Sequence, residues 1–155
     1  MRCFKSFRFS ALILLMSCFL FTCGKDNSTE PEEEEHADVI GVVVKEGDTE
    51  VARYQSLIVS GEIQVPLGDE SPALSVYFIS PGGSLMRPEG DQYSMSLTVG
   101  STNVAVAKQH INDNKWDFYV LGKKEGGTTV QIRLMNDDDI DYVAQPLPIK
   151  VAQSL

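Results

Sequence analysis

The chain has 155 residues, with 13 cationic and 22 acidic side chains and a formal net charge of −9. Phosphate binding requires clustered lysine and arginine, so this acidic balance argues against a nucleic-acid-binding protein. The cysteines Cys3, Cys18 and Cys23 all lie within the first 23 residues. The rest of the chain therefore has no thiolate for catalysis, metal binding or a disulfide bond.

Residues 1–22 have the composition of a secretory signal. Arg2, Lys5 and Arg8 precede an apolar run that ends at Phe21, and the segment contains no acidic residue. The run is shorter than the ~20 apolar residues of a stable membrane span. We therefore predict a cleaved signal peptide and an exported protein, whose remaining 10 cationic and 22 acidic residues give a net charge of −12.

The apolar run stops at Cys23, and polar sequence begins at Gly24. This pattern resembles the lipobox of bacterial lipoproteins, in which the cysteine is acylated and becomes the mature N-terminus, although Phe21 and Thr22 depart from the commonest residues at their positions. Cys18 fits the small-residue rule better, but lipidation there would leave an apolar stub, so we favour Cys23. Gly24 is similar to the second residue of lipoproteins sent to the outer membrane. The resemblance implies a lipid-anchored protein of the cell envelope, with the outer membrane as its destination.

Residues 23–36 are predicted to form a flexible tether. No apolar residue lies between Cys23 and Ala37, and six residues there are acidic. Such a segment cannot bury enough surface to offset the entropy of ordering, and its like charges extend it. The folded domain is therefore expected to comprise residues 37–155, about 120 residues, which suffices for one core.

The domain sequence predicts an all-β fold, because short apolar or alternating runs are separated by glycine, proline, aspartate and asparagine, and no helical period is sustained. Eight or nine antiparallel strands at roughly ten-residue spacing are typical of a two-sheet β-sandwich. The predicted strands are Val39–Val44, Glu50–Tyr54, Leu57–Val65, Leu74–Ile79, Tyr93–Val99, Val104–Lys108, Trp116–Leu121, Thr128–Leu134 and Leu147–Val151.

Two strand patterns carry further expectations. Alternation from Leu57 to Val65 predicts one half-buried strand with one apolar face. Pro146 and Pro148 flank Leu147, and because proline cannot donate to a ladder, we expect the last strand to lie at a sheet edge or to begin irregularly. Such an edge would expose backbone groups to which a partner strand binds.

The segments Ser101–Ala107, Phe118–Gly122 and Glu125–Ile132 together resemble the C-terminal half of bacterial Ig-like domains of group 2. The shared features are a strand before a glycine-containing hairpin and the run Gly126-Gly127-Thr128-Thr129 followed by alternating apolar residues. The resemblance covers about 35 residues and implies an Ig-like sandwich. Members of that family are mostly surface or periplasmic interaction modules.

Motifs of catalysis are not found in the sequence. It has no Gly-x-Ser-x-Gly elbow, phosphate-binding loop, His-Glu-x-x-His helix or Gly-x-Gly-x-x-Gly turn. Its two histidines are His36, in the predicted tether, and His110, at a predicted strand end. No pattern selects a pair of carboxylates for glycoside hydrolysis. We therefore interpret the protein as non-enzymatic.

One acidic loop is the candidate site. Asp137, Asp138, Asp139 and Asp141 lie between two predicted strands, and in an extended chain Asp137, Asp139 and Asp141 would project to one side. Three carboxylates on one side can bind a hard cation such as Ca²⁺. The EF-hand pattern is absent, and acidic loops are more often simply solvated, so we expect no built metal site and treat the loop as a candidate for an ion or a basic partner.

Aromatic side chains offer a second candidate surface, because exposed rings stack on sugars and on peptides. Alternation around Asp117 instead favours a core position for Trp116 and Phe118, with Tyr119 pointing outward. We expect the same core packing for Tyr77.

The sequence therefore predicts a non-enzymatic, lipid-anchored interaction module of the cell envelope with a protein or glycan partner. The alternative is a periplasmic or surface lipoprotein that binds divalent ions through the acidic loop.

Overall fold

A computed structural model describes residues 36–109 and 114–153, and within these ranges it contains twelve strands and no helix. The prediction of an all-β fold is confirmed. The strands are β1 Gly41–Glu46, β2 Thr49–Gln55, β3 Ile58–Gly61, β4 Ile63–Pro66, β5 Leu74–Ile79, β6 Leu85–Met86, β7 Tyr93–Val99, β8 Ala105–Lys108, β9 Asp117–Gly122, β10 Gly126–Asn136, β11 Asp139–Val143 and β12 Leu147–Ala152.

The first sheet has the strand order β3-β2-β1-β5-β9-β8, and the short β6 pairs with β5. All of its pairs are antiparallel. The hairpin of β1 and β2 lies between β3 and β5, so the first two strands of the domain become interior strands of this sheet.

The second sheet is built around β10, the longest strand. β7 pairs with one side of β10, while β11 and β12 follow each other along the other side. β4 then pairs with β12 in parallel, with Ile63 opposite Ile149. This parallel pair differs from the expectation that all strands are antiparallel.

The chain changes sheets at Gly61, between β3 and β4. Gly61 has a φ of +77°, and an added Cβ there would collide with the carbonyl oxygen of Val51, so only glycine fits the corner. When the first hairpin and the short strands β4, β6 and β11 are set aside, one sheet holds β3, β5, β9 and β8, and the other holds β7, β10 and β12. That distribution is the one found in Ig-like sandwiches.

The core lies between the inner faces of the two sheets. Phe78 and Phe118 from the first sheet are fully buried, as are Ile132 and Leu134 from the second. The rings of Phe78 and Trp116 meet edge to face, with their centroids 5.6 Å apart. Because burying one large apolar side chain stabilises a fold by about 1.5–3 kcal/mol, this core holds the described domain without a disulfide bond.

Three local expectations differ from the structure. The predicted strand Leu57–Val65 divides into β3 and β4, because Gly61 turns it from one sheet to the other. β6 and β11 were not predicted, since β6 has two residues and β11 lies in the acidic run. The described strands thus number twelve, more than the eight or nine expected.

The expectation that the last strand lies at an edge is wrong. β12 lies between β10 and β4 in the second sheet. The ladder to β4 begins at Ile149, one residue after Pro148, so the proline lies outside that ladder. Proline removes one donor at its own position only, and the following residues are free to pair on both sides.

Candidate functional site

The acidic loop forms the tight turn of the β10–β11 hairpin. Asp137 has a φ of 50°, a conformation that aspartate tolerates better than most residues, and its N–H donates to the Gln92 carbonyl at 2.7 Å. Asp137, Asp138 and Asp139 are exposed. The turn therefore presents three carboxylates to solvent.

Asp141 is separated from these three carboxylates by its burial. Its side chain is only 1% exposed. One carboxylate oxygen lies 2.6 Å from Nδ1 of His36, and the other accepts a hydrogen bond from the Ala37 N–H at 2.8 Å. An ionised carboxylate only accepts, so the His36 contact requires a proton on Nδ1. We call His36, Ala37 and Asp141 the N-terminal clasp.

The clasp gives Asp141 a structural role that the sequence did not reveal. Within residues 36–109 and 114–153, no group of three or more histidine, aspartate or glutamate side chains is arranged to hold a metal ion. The clasp joins residues 104 and 105 positions apart in the chain, so no local pattern signals it. His36, the last residue of the predicted tether, is thereby in contact with the domain.

The next residue on β11, Tyr142, has a buried hydroxyl with no hydrogen-bond partner among the described residues. Its ring meets Phe78 edge to face at 6.5 Å. Burial raises the pKa of Tyr142 to about 12, with a smaller contribution from Tyr54. β11 is therefore held from one face by the clasp and from the other by an aromatic contact with the core.

The aromatic residues do not form a stacking platform. Trp116 and Phe118 are buried and Tyr119 is half-buried, which agrees with core packing of the first two. The expectation for Tyr77 differs, because Val76 and Phe78 take the inward positions and Tyr77 lies on the outer face.

Two cations contact the Tyr77 ring on that outer face. The Arg87 guanidinium lies 4.2 Å and the Lys45 ammonium 5.3 Å from the ring centroid. Arg87 is fixed in turn by the Val76 carbonyl at 3.0 Å and by Asp117 at 3.1 Å. Because its π face already binds cations, the Tyr77 ring stabilises the sheet surface and is not free to stack on a ligand.

The edges of the sheets are the remaining places where backbone groups can bind a partner. β4 ends in Pro66, β11 carries Asp139 and Asp141, β8 carries Lys108, and β3, at one edge of the first sheet, has only four residues. Charge, proline and short length are the usual means by which proteins protect sheet edges.

β7 lacks these protections. It has seven residues, Tyr-Ser-Met-Ser-Leu-Thr-Val, with no charge, proline or glycine, and it pairs only with β10 among the described strands. Bonds from Asp137 N to Gln92 O and from Gly100 N to Thr129 O mark the two ends of its ladder. Because antiparallel bonds alternate, the even-numbered residues face β10 and the odd-numbered ones turn their backbone groups to the open side.

Lys115 covers the beginning of that open side. Its ammonium group donates to the carbonyl oxygens of Gly90 at 2.7 Å and Tyr93 at 2.9 Å. Met95 is buried, whereas Leu97 and Val99 are half-exposed. The accessible part of the β7 edge is therefore its second half.

Two sequence-predicted residues lie outside the described ranges. They are Cys23, the predicted lipidation site, and His110. Among the residues that the structure does describe, no helix has the length and apolar character needed to cross a bilayer.

Comparison with known proteins identifies no family. No family model matches the chain, and no curated protein matches it. Solved structures do match, and one of them is the crystal structure of domains 4 and 5 of the S-layer protein SbsC, with 16% sequence identity and a TM-score of 0.41. The match covers 73% of this chain and 66% of that chain, slightly less than two thirds of its length.

Proposed function

We propose that the protein is a non-enzymatic interaction module, lipid-anchored to the cell envelope through Cys23, with an outer-membrane location. Its Ig-like character, suggested by the sequence resemblance to the group 2 bacterial family, is supported by the distribution of strands between the two sheets. The anchor is supported by the abrupt change from apolar to polar sequence at Cys23.

The observation that carries the interaction role is the open edge of β7. Among the described strands β7 pairs on one side only, and an uncharged strand of seven residues in that position offers donors and acceptors to an extended partner. Added strands gain affinity from these backbone bonds and specificity from side chains on both faces. A protein segment in extended conformation is therefore the proposed partner, and Leu97 and Val99 are the residues it pairs with.

A photo-reactive amino acid at Thr98 tests this proposal. Thr98 is exposed on β7, whereas the matched control position, Lys150, is exposed on the interior strand β12 of the same sheet. After irradiation of living cells of the native host, we expect a discrete protein adduct from position 98 and none from position 150.

A second substitution makes the test specific for strand addition. Ser96→Lys places a charge on the same edge, where charge protects against strand pairing, and should abolish the adduct. Equal adducts from positions 98 and 150, or an adduct that survives Ser96→Lys, would contradict the proposal.

A further inference from the structure

The exposed apolar side chains of the described domain are concentrated at one end of the sandwich. The large hydrophobic residues with substantial exposure are Ile40, Leu57, Ile58, Leu85, Ile140 and Val143, with exposed fractions between 39% and 83%. Strand register places all six toward the end at which the chain enters the domain. We call this the proximal end.

In the first sheet, the register places four of the six, Ile40, Leu57, Ile58 and Leu85, at the same end. The Ile40 N–H donates to the Ile79 carbonyl at 2.8 Å, and Leu85 pairs with Ile79. Gly41 pairs with Ile79 on one side and with Gln55 on the other, and the turn that carries Leu57 follows Gln55 directly. Neighbouring strands lie about 4.8 Å apart, so Ile40 and the turn are close neighbours.

In the second sheet, β11 lies at the same end. The Tyr142 ring contacts Phe78, the residue before Ile79. Asp141 also binds His36 and Ala37, which lie five and four residues before the first strand. Ile140 and Val143 on β11 therefore lie toward the proximal end as well.

Leu57 is placed there in spite of its backbone conformation. Ser56 and Leu57 have φ angles of 53° and 66°, as in a two-residue type I′ hairpin turn. Such turns favour Asn-Gly, because positive φ is unfavourable for other side chains. Leu57 is 83% exposed, so packing within the domain does not explain it. Strain combined with exposure is a reason to look for a binding role.

The opposite end of the sandwich is polar. Its exposed turns contain Gly47–Asp48, Gly68–Asp69, Thr102–Asn103 and Lys123–Glu125, and none of the large exposed hydrophobic residues lies there. The apolar surface is thus confined to the end from which the chain continues toward Cys23.

The clasp fixes the point at which the chain leaves the domain. Thirteen peptide bonds separate Cys23 from His36, and a chain of that length spans at most about 45 Å. If Cys23 is lipidated, as under the proposed function on which this inference rests, the proximal end is held close to the bilayer. At that distance, the effective concentration of lipid at the apolar side chains is high.

We propose that the proximal end docks on a neutral lipid surface, with Leu57 and Ile58 entering the headgroup region. Exposed apolar side chains gain free energy on leaving water for the interface. Asp137, Asp138 and Asp139 are exposed at the same end, and like charges repel anionic lipid. The preferred surface is therefore zwitterionic, and anionic lipid weakens the docking.

The absence of cysteine after Cys23 makes a site-specific test direct, because Leu57→Cys provides the free thiol of the mature lipidated chain. The thiol is labelled with a polarity-sensitive fluorophore, and the intact lipoprotein is incorporated into phosphatidylcholine vesicles. Asp48→Cys, in the turn at the opposite end, is the matched control. We expect the emission of the label at position 57 to be blue-shifted relative to that at position 48, and its quenching by iodide to be several-fold weaker. Replacing part of the lipid by phosphatidylglycerol should reduce the difference.

Ile58→Asp provides a second variant. Ile58 is 67% exposed, so the substitution should leave the melting temperature nearly unchanged while it restores iodide access to the Leu57 label. Equal access of iodide to both labels in protein that floats with the vesicles would overturn the docking and leave the anchor intact. Protection in native envelopes but not in lipid vesicles would also overturn it, because a protein would then cover this end. Protein that does not float with vesicles would refute the anchor and the docking together.

Discussion

Asp141→Ala is the most direct test of the N-terminal clasp. The substitution removes both acceptors of a carboxylate that is 1% exposed and is bound by the Ala37 N–H at 2.8 Å and by His36 at 2.6 Å. It does not touch the backbone bond from Ala144 to Ile132 that continues the β10 ladder. The strands should therefore remain in place, while the segment before Ile40 is released.

The expected cost follows from the two contacts. A hydrogen bond to a charged group contributes about 1.5–3 kcal/mol, and the Ala37 contact belongs in this range because it is part-buried. His36 is 62% exposed, so solvent screening reduces its contribution to about 0–1 kcal/mol. Together they predict a loss of about 2 kcal/mol in the free energy of unfolding and a melting temperature lower by roughly 5–10 °C.

The assay compares denaturant melts of a non-lipidated chain that begins after Cys23. Asp138→Ala is the matched control, since Asp138 is an exposed aspartate in the same hairpin, and it should change the free energy of unfolding by less than about 0.5 kcal/mol. Amide hydrogen exchange at Ala37 should accelerate in the Asp141 variant and not in the control. If the two variants melt alike and Ala37 exchange is unchanged, the clasp does not form.

Three further predictions concern the anchor, a buried hydroxyl and the acidic turn. Cys23→Ala should release the protein into the soluble fraction or leave it unprocessed. Lipidation at Cys23 would be contradicted by a mutant that is still processed and fully membrane-associated although Cys18 carries no lipid. Tyr142→Phe should keep or raise the melting temperature at neutral pH, because the hydroxyl is buried without a partner. The pKa of Tyr142 rises from 10.0 to about 12 on folding, so the neutral hydroxyl stabilises the fold below pH 10 and this contribution is lost as the pH rises toward 12. The melting temperature of the variant should therefore fall less steeply than that of the unmodified chain as the pH is raised through this window. Replacing Asp137, Asp138 and Asp139 by asparagine should leave the melting temperature nearly unchanged. Adding Ca²⁺ to the unmodified chain should not raise its melting temperature, and a clear rise on adding Ca²⁺ would favour the ion-binding alternative.

The acidic run shows which features of the candidate site the residue pattern alone could not predict. All four aspartates are equivalent in sequence terms, as polar residues between two apolar runs. The structure separates them, since three are exposed at a turn and one is buried against the first residues of the domain. Neutralising all four should therefore destabilise the fold through loss of the clasp, and such destabilisation would not be evidence for an ion site.

Proline placement shows a second limit. Pro148 argues for an edge because it lacks one donor, yet β12 lies inside the sheet. The unprotected edge is β7, whose sequence is an ordinary alternating strand, because an edge is defined by which neighbours a strand lacks. The residues of a strand do not by themselves indicate whether it has a neighbour on each side.

Local chemistry in the sequence was sufficient to determine the all-β character, most strand positions and most of the inward-facing residues, with Tyr77 and Leu57 as exceptions. The alternation of Val130, Ile132 and Leu134 follows from the pleat of a single strand, and all three are fully buried. The tertiary structure alone decided which strands are neighbours, where Gly61 carries the chain between sheets, and that Asp141 meets His36 and Ala37. These contacts join residues far apart in sequence, and their free energy depends on burial and geometry that exist only after the two sheets have packed together.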